Sequence, residues 1–327
     1  MKLQGHLTLE GGAGPGAYEA ARTRGVSISL GDLKFTDRSA NVIALSSLEA
    51  LAGRSLDGLV GLDLFTRYVV EIDYLGRVVR LYDPQTYNYS GVGESIPLTL
   101  RDGHLFVPAK IEMPGGPRLD RQFVVDTGGA LVTLVLTTPF AQSNNLPGPN
   151  PRTILDRSLA GLGGETRVLV SRATSFTLGN LSVREPIIYV SQDRGGALAS
   201  SDFAGLIGGE ILRKFKVIFD YARGRLILEP NAHYAEPVEC DMSGIRFRAY
   251  GDDFRTFTVY QVLQDSPAAE AGLRVGDVLA AVDGLTASRF TLDEIYQMLK
   301  QEGREYKLSV RRGGARLSVK IKTRRLI

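Results

Sequence analysis

The sequence predicts a mainly β protein in which a duplicated lobe is followed by a small α+β module. Three observations carry that prediction. Short apolar strands and glycine-rich turns dominate up to about Pro230, with few helical stretches. That part of the chain also repeats itself at a nearly fixed offset. After Glu236-Pro237 the pattern changes, and helix caps appear between alternating strands.

The repeat is read from matching segments. Gly58-Leu59-Val60-Gly61-Leu62-Asp63-Leu64 is matched by Gly205-Leu206-Ile207-Gly208-Gly209-Glu210-Ile211, an offset of 147 (205 − 58). At the same offset Tyr68-Val69-Val70-Glu71-Ile72-Asp73-Tyr74 faces Phe215-Lys216-Val217-Ile218-Phe219-Asp220-Tyr221. Both copies then turn into a strand, at 77–82 and 225–229. Upstream, Val26 to Leu33 parallels Thr174 to Leu181 as strand, Gly-Asx turn and strand, and Gly11-Gly12-Ala13-Gly14 sits opposite Gly161-Leu162-Gly163-Gly164. A tandem duplication of a β lobe follows.

Composition narrows the function. The formal net charge is +3, and the basic residues from Arg311 to Arg325 come without the module or aromatic clustering of a nucleic-acid reader. One cysteine, Cys240, excludes an intramolecular disulfide and a multi-cysteine metal site. His6, His104 and His233 lack ligand spacing, so neither zinc nor a Ser-His-Asp arrangement is supported, and no cofactor or metal is expected. No stretch has the apolar length of a membrane span, and Met1-Lys2-Leu3-Gln4-Gly5-His6 does not read as a signal peptide. That expects either a cytoplasmic protein or a start upstream of Met1.

The chemistry centres on Phe123-Val124-Val125-Asp126-Thr127-Gly128-Gly129-Ala130. Three apolar residues read as a buried strand end that delivers one carboxylate into a turn. The glycines let backbone N–H groups approach that carboxylate. A turn Asp bonding its own backbone is the plainer alternative. Together with the apolar-Gly steps Val60-Gly61 and Ile207-Gly208, the segment resembles the retropepsin-like aspartic proteases of the pepsin and retropepsin clan.

The resemblance implies a bilobal acid-protease fold with duplicated retropepsin-like β lobes. It makes Asp126 one of two catalytic carboxylates, has Thr127 lock the loops across the lobe interface through its hydroxyl, and has the Gly128 N–H contact the carboxylate. Gly129 stands where relatives often carry Ser, Ala or Thr, which puts in doubt any side-chain hydrogen bond to the outer carboxylate oxygen. The first lobe is expected to lack its N-terminal part, because the position equivalent to Asp126 falls before Met1. A partner Asp would then come from upstream sequence or from a second chain in a homodimer. A lone exposed Asp126 is expected to titrate near its ordinary value and to serve poorly as an acid. Gly11 to Gly16 reads either as a flap over a peptide or as a plain surface hairpin. It does not read as a dinucleotide fingerprint.

The last module opens with Gly244-Ile245-Arg246-Phe247. Ser266 caps a short helix at Pro267, Asp283-Gly284 makes a hairpin turn, and Thr291-Leu292-Asp293-Glu294 is a capping box. With Ser266-Pro267-Ala268-Ala269-Glu270-Ala271-Gly272-Leu273-Arg274-Val275-Gly276-Asp277, these residues resemble a bacterial-type PDZ domain. The resemblance implies that Gly244, Ile245, Arg246 and Phe247 form the loop cradling a peptide carboxylate. The ligand would add as a strand beside residues 245–250, against the helix from Leu292. Arg246 either assists that carboxylate or is a solvated surface residue.

The expected division is 1–90 for an incomplete first lobe, 91–236 for the second and 237–327 for the PDZ domain. The expected activity is aspartic endopeptidase, acting on peptide or unfolded protein substrates that the PDZ domain recruits. The alternative is an inactive peptide-binding scaffold. Relatives of this kind are commonly exported, which points to a periplasmic or extracytoplasmic site.

Overall fold

The computed structural model describes residues 3–10, 14, 16–148 and 152–327. The chain is mainly β, as expected, and its strands form four sheets among these residues. Leu3–Glu10, Ala17–Leu30 and Leu33–Val42 make an antiparallel three-stranded sheet. A ten-stranded sheet, running from Ile154–Gly161 at one edge to Leu181–Arg184 at the other, carries the second lobe. Its inner face and the elements packed on it form the main apolar core, around Phe123, Leu134, Phe176 and Phe215.

The duplication is visible as a local twofold. Val69–Asp73 pairs antiparallel with Phe215–Asp220 in a five-stranded sheet completed by Val78–Tyr82, Arg225–Pro230 and Glu94–Pro97. Glu71 faces Ile218, its own equivalent in the repeat, and Val70–Phe219 mirrors Ile72–Val217 on either side. An antiparallel pair in which a residue meets its own repeat has a twofold axis through that pair. The short helices Leu62–Phe65 and Gly209–Leu212 start at equivalent positions.

The copies differ around the apolar-Gly step. In the second lobe, Gly205–Ile207 runs between Arg118–Val125, to which it is parallel, and Leu134–Leu136, to which it is antiparallel. The fit is tight: a Cβ on Gly208 would lie 2.3 Å from the Val132 carbonyl oxygen. In the first lobe Gly58, Leu59 and Val60 are in no strand, and a Cβ on Gly61 would meet nothing within 4 Å. Ahead of that segment the first lobe has a helix, Ser46–Ala52, where the second has only the 3-10 turn Ala197–Ala199.

Most of the Gly11 to Gly16 turn (residues 11–13 and 15), which the sequence reads as flap or hairpin, lies outside the described residues. The flanking Gly14 and Gly16 are described. Gly14 N–H donates to Thr166 Oγ1 at 2.7 Å, and Gly16 N–H donates to the Gly163 carbonyl at 2.9 Å, so this turn meets the corresponding turn of the second lobe.

The C-terminal module is a six-stranded sheet in the order Ile245–Tyr250, Thr256–Val262, Val278–Val282, Glu305–Arg312 and Ala315–Lys322, with Leu285–Thr286 paired to the third. Its helices Pro267–Glu270 and Leu292–Leu299 start where the sequence places them. Ser266 accepts from the Ala269 N–H, and Thr291 and Glu294 form the full capping box. Their apolar faces close a separate core around Phe247, Phe257 and Tyr306.

Gly208→Ala should destabilise the protein by about 2–3 kcal/mol or more, because a rigid backbone must move. Gly61→Ala, at the equivalent open position, should cost about 1 kcal/mol or less. Urea denaturation of both variants measures this, and equal losses would contradict the asymmetry.

Candidate functional site

The strand Arg118–Val125 is exposed over its first half and buried at Phe123, Val124 and Val125, so it ends by pushing Asp126 out of the core. The threaded strand holds the turn from beneath. Asp126 N–H donates to the Ile207 carbonyl at 3.0 Å, Gly208 N–H to the Thr133 carbonyl at 2.7 Å, and Gly209 N–H to the Gly129 carbonyl at 2.8 Å. Asp126 Oδ1 accepts from the Gly128 N–H at 2.9 Å, the contact that the resemblance implied. A Cβ on Gly129 would sit 3.1 Å from Asp126 Oδ2, which leaves little room for a larger residue in this turn.

The carboxyl group is half-buried rather than exposed, and this corrects the expectation of an ordinary titration. Burial raises its pKa, while the Gly128 and Gly129 N–H groups and the charge of His104 pull the other way without cancelling it. Tyr74, from the turn after the first-lobe strand Val69–Asp73, lies within its field. Burial and then the Asp126 charge push the Tyr74 phenol up to about 12. Sequence reasoning missed both Tyr74 and His104, because neither is near Asp126 in the chain.

No second carboxylate acts on Asp126 among the described residues. Thr127 follows Asp126 in the same turn and is half-buried. Among the described residues no group of three or more His, Cys, Asp or Glu could hold a metal ion. No helix of the described residues is long and apolar enough to cross a membrane.

Gly244 to Phe247, which the resemblance expects to cradle a peptide carboxylate, lie at the start of the edge strand Ile245–Tyr250, and their polar groups are already engaged. Gly244 is in the left-handed region, and its N–H donates to Asp241 Oδ2 at 2.8 Å. Ile245 N–H donates to Ser243 Oγ at 3.1 Å, and Phe247 N–H to the Tyr296 hydroxyl at 2.8 Å. Arg246 is neither a free carboxylate binder nor a solvated residue. Its guanidinium reaches Asp156 of the second lobe at 2.6 Å and Asp241 at 2.8 Å, with both acids buried. Burial works against that charge, but Asp156 and Asp241 outweigh it and hold Arg246 protonated well above its ordinary value. The Asp241-Met242-Ser243-Gly244 run has the look of an Asx turn, and that was the available signal for Asp241.

The two sites touch through one helix. Gly209 packs on Ala130 of the Asp126 turn, and the next residue, Glu210, pairs with Arg213 at 3.1 Å and with Lys300 of the PDZ-like module at 3.9 Å.

Residues 258–312 match the PDZ domain family. A probable CtpA-like serine protease of Staphylococcus haemolyticus is 25% identical over 135 residues, or 41% of this chain. The chain spans only 25% of that relative's length. Among solved structures, a retropepsin-like aspartic protease from Rickettsia conorii is 22% identical, covering 44% of this chain and 96% of its own, with a TM-score of 0.28. A photosystem II D1 C-terminal processing protease is also 22% identical, over 27% of this chain and 24% of its own, with a TM-score of 0.24. The PDZ identification therefore stands on the family match and the observed sheet, and likenesses this low decide nothing about the lobes.

The raised carboxyl of Asp126 has a consequence for stability. The folded protein holds this proton more tightly than the unfolded chain does. The contribution is full below the unfolded value of about 4 and is lost as pH rises through the folded value. Asp126→Asn removes that dependence, so the variant should gain stability relative to the native protein between about pH 3 and pH 7. Denaturant midpoints at the two pH values measure it, and an unchanged difference would contradict the burial argument.

Proposed function

We propose that this chain is an aspartic endopeptidase in which Asp126 supplies one of two catalytic carboxylates. The PDZ domain recruits its peptide or unfolded protein substrates. One observation carries the reading: a half-buried carboxyl held by glycine N–H groups over a threaded strand, with its pKa raised by burial. In this reading residues 1–90 and 91–236 are the two lobes and residues 237–327 the PDZ domain.

The partner carboxylate arrives on a strand of the same kind seated along Gly58–Val60. Two observations support that seat. Leu59 and Val60 are 61% and 49% exposed, whereas Ile207, the equivalent of Val60, is fully buried between its two neighbours. The twofold between Glu71 and Ile218 would set an Asp at the end of such a strand opposite Asp126. Further sequence of the same protein or a second copy of the chain can bring it.

Two carboxyl groups about 3 Å apart share one proton and titrate as a pair. The ionised member takes a proton from a bound water, which attacks the scissile carbonyl, and the protonated member donates to the carbonyl oxygen. A serine mechanism lacks comparable support here. Lys214, a buried lysine, donates to the carbonyls of His233 at 3.0 Å, Tyr234 at 3.4 Å and Glu236 at 2.5 Å, so it offers no free amine to activate a serine.

Cleavage of denatured casein from about pH 3 to pH 8 tests the proposal. Activity should lie on the acid side, yield to pepstatin and fall ~10²–10⁴-fold in Asp126→Asn. Specific activity that rises with protein concentration assigns the partner to a second copy. Full activity in Asp126→Asn would overturn the peptidase reading, and so would silence at every concentration both of this chain and of a version extended by further sequence of the same protein, each shown to be folded, which would leave a peptide-binding scaffold.

A further inference from the structure

Adding a peptide as a strand to a PDZ edge needs three things from the domain. These are N–H groups free to receive the terminal carboxylate, an edge N–H and C=O free to pair, and an open apolar groove. In this chain each is taken from within. The Asp241 carboxylate stands where a ligand carboxylate belongs, accepting from Ser243 N–H at 3.1 Å, Gly244 N–H at 2.8 Å and Arg246 at 2.8 Å. Ser243 Oγ takes the Ile245 N–H.

The edge is closed by Tyr296. Its hydroxyl reaches across from the helix Leu292–Leu299, accepts from the Phe247 N–H at 2.8 Å and faces the Phe247 carbonyl at 3.4 Å. The groove itself is covered by the first-lobe helix Ser46–Ala52, which lies against the strand Ile245–Tyr250. The Gly53 that ends this helix is so close that a Cβ there would fall 2.6 Å from Leu292 Cβ. Leu51 and Ala52 join Phe247, Leu292 and Tyr296 around a residual cavity of about 160 Å³, well below the roughly 300–1,000 Å³ of ordinary ligand pockets.

We propose that the PDZ groove is self-occupied, with helix 46–52, Asp241 and Tyr296 acting as an intramolecular competitor for peptides that end in a free carboxylate. The inference rests on the reading that this domain takes such peptides. A tethered competitor acts at an effective concentration near millimolar, so the apparent affinity for an external peptide falls by the fraction of time that the groove is open. Leu51→Asp places a charge in the apolar contact and favours the open groove. Tyr296→Phe frees the Phe247 N–H with almost no change of shape.

Fluorescence anisotropy of a fluorescein-labelled decapeptide with an apolar C-terminal residue and a free carboxylate, with its amide as control, tests this on the full chain. Each variant is first shown to be folded by circular dichroism. The native protein should bind at least tenfold more weakly than Leu51→Asp and than Tyr296→Phe, and the gain should be absent with the amide. Native binding as tight as that of both variants would overturn the self-occupied groove while leaving the domain a peptide binder. No binding by any of the three folded proteins would overturn the peptide-binding reading as well.

Discussion

The Val132 carbonyl oxygen occupies the space that any side chain at position 208 would need, and the second lobe is organised around that close approach. Because Gly208 permits it, Gly205–Ile207 can run between two strands that lie far from it in sequence and bond to both. The Asp126 N–H then has a carbonyl to bond, the Gly129 carbonyl has a donor, and the carboxyl is turned toward glycine N–H groups instead of into the core. Backbone groups buried at such a crossing must all be paired, so the crossing either forms whole or costs several unmet hydrogen bonds. The first lobe has the same residue pattern, but among the described residues its segment Gly58–Val60 has no such neighbours and lies in no strand.

A second constraint ties the lobe to the PDZ domain. Arg246, itself half-buried, is held between the buried carboxylates of Asp156 and Asp241. Such a cluster adds little net stability over apolar packing, but removing one member strands a charge at about 3–5 kcal/mol. It therefore fixes one arrangement of the two parts. Arg172 adds to it, bonding the Val238 carbonyl at 2.8 Å and Glu239 at 2.6 Å. The same arrangement sets Lys300 beside Glu210, one residue beyond the glycine that packs on the Asp126 turn.

Features legible in the sequence were those that local chemistry writes. Val125-Asp126-Thr127-Gly128, the Ile207-Gly208 step, the Ser266 cap and the Thr291–Glu294 box each have a local physical cause, and each is found in place. The repeat was legible too, and it returns as the facing of Glu71 and Ile218. What was not legible depends on distant partners. Nothing in Gly244-Ile245-Arg246-Phe247 says that Arg246 will meet Asp156, ninety residues earlier, or that Tyr296 will cap Phe247. The titration of Asp126 belongs with these, because its burial is created by other strands.

The central claim is that the threaded strand holds Asp126 in surroundings where its proton is retained beyond the ordinary aspartate range. A carboxyl-carbon NMR titration of the protein, with the Asp126 signal assigned by its loss in Asp126→Asn, measures this directly. The account predicts a midpoint clearly above the ordinary value of about 4. A midpoint at or below that value would contradict it, and Asp126 would then be a solvated turn residue.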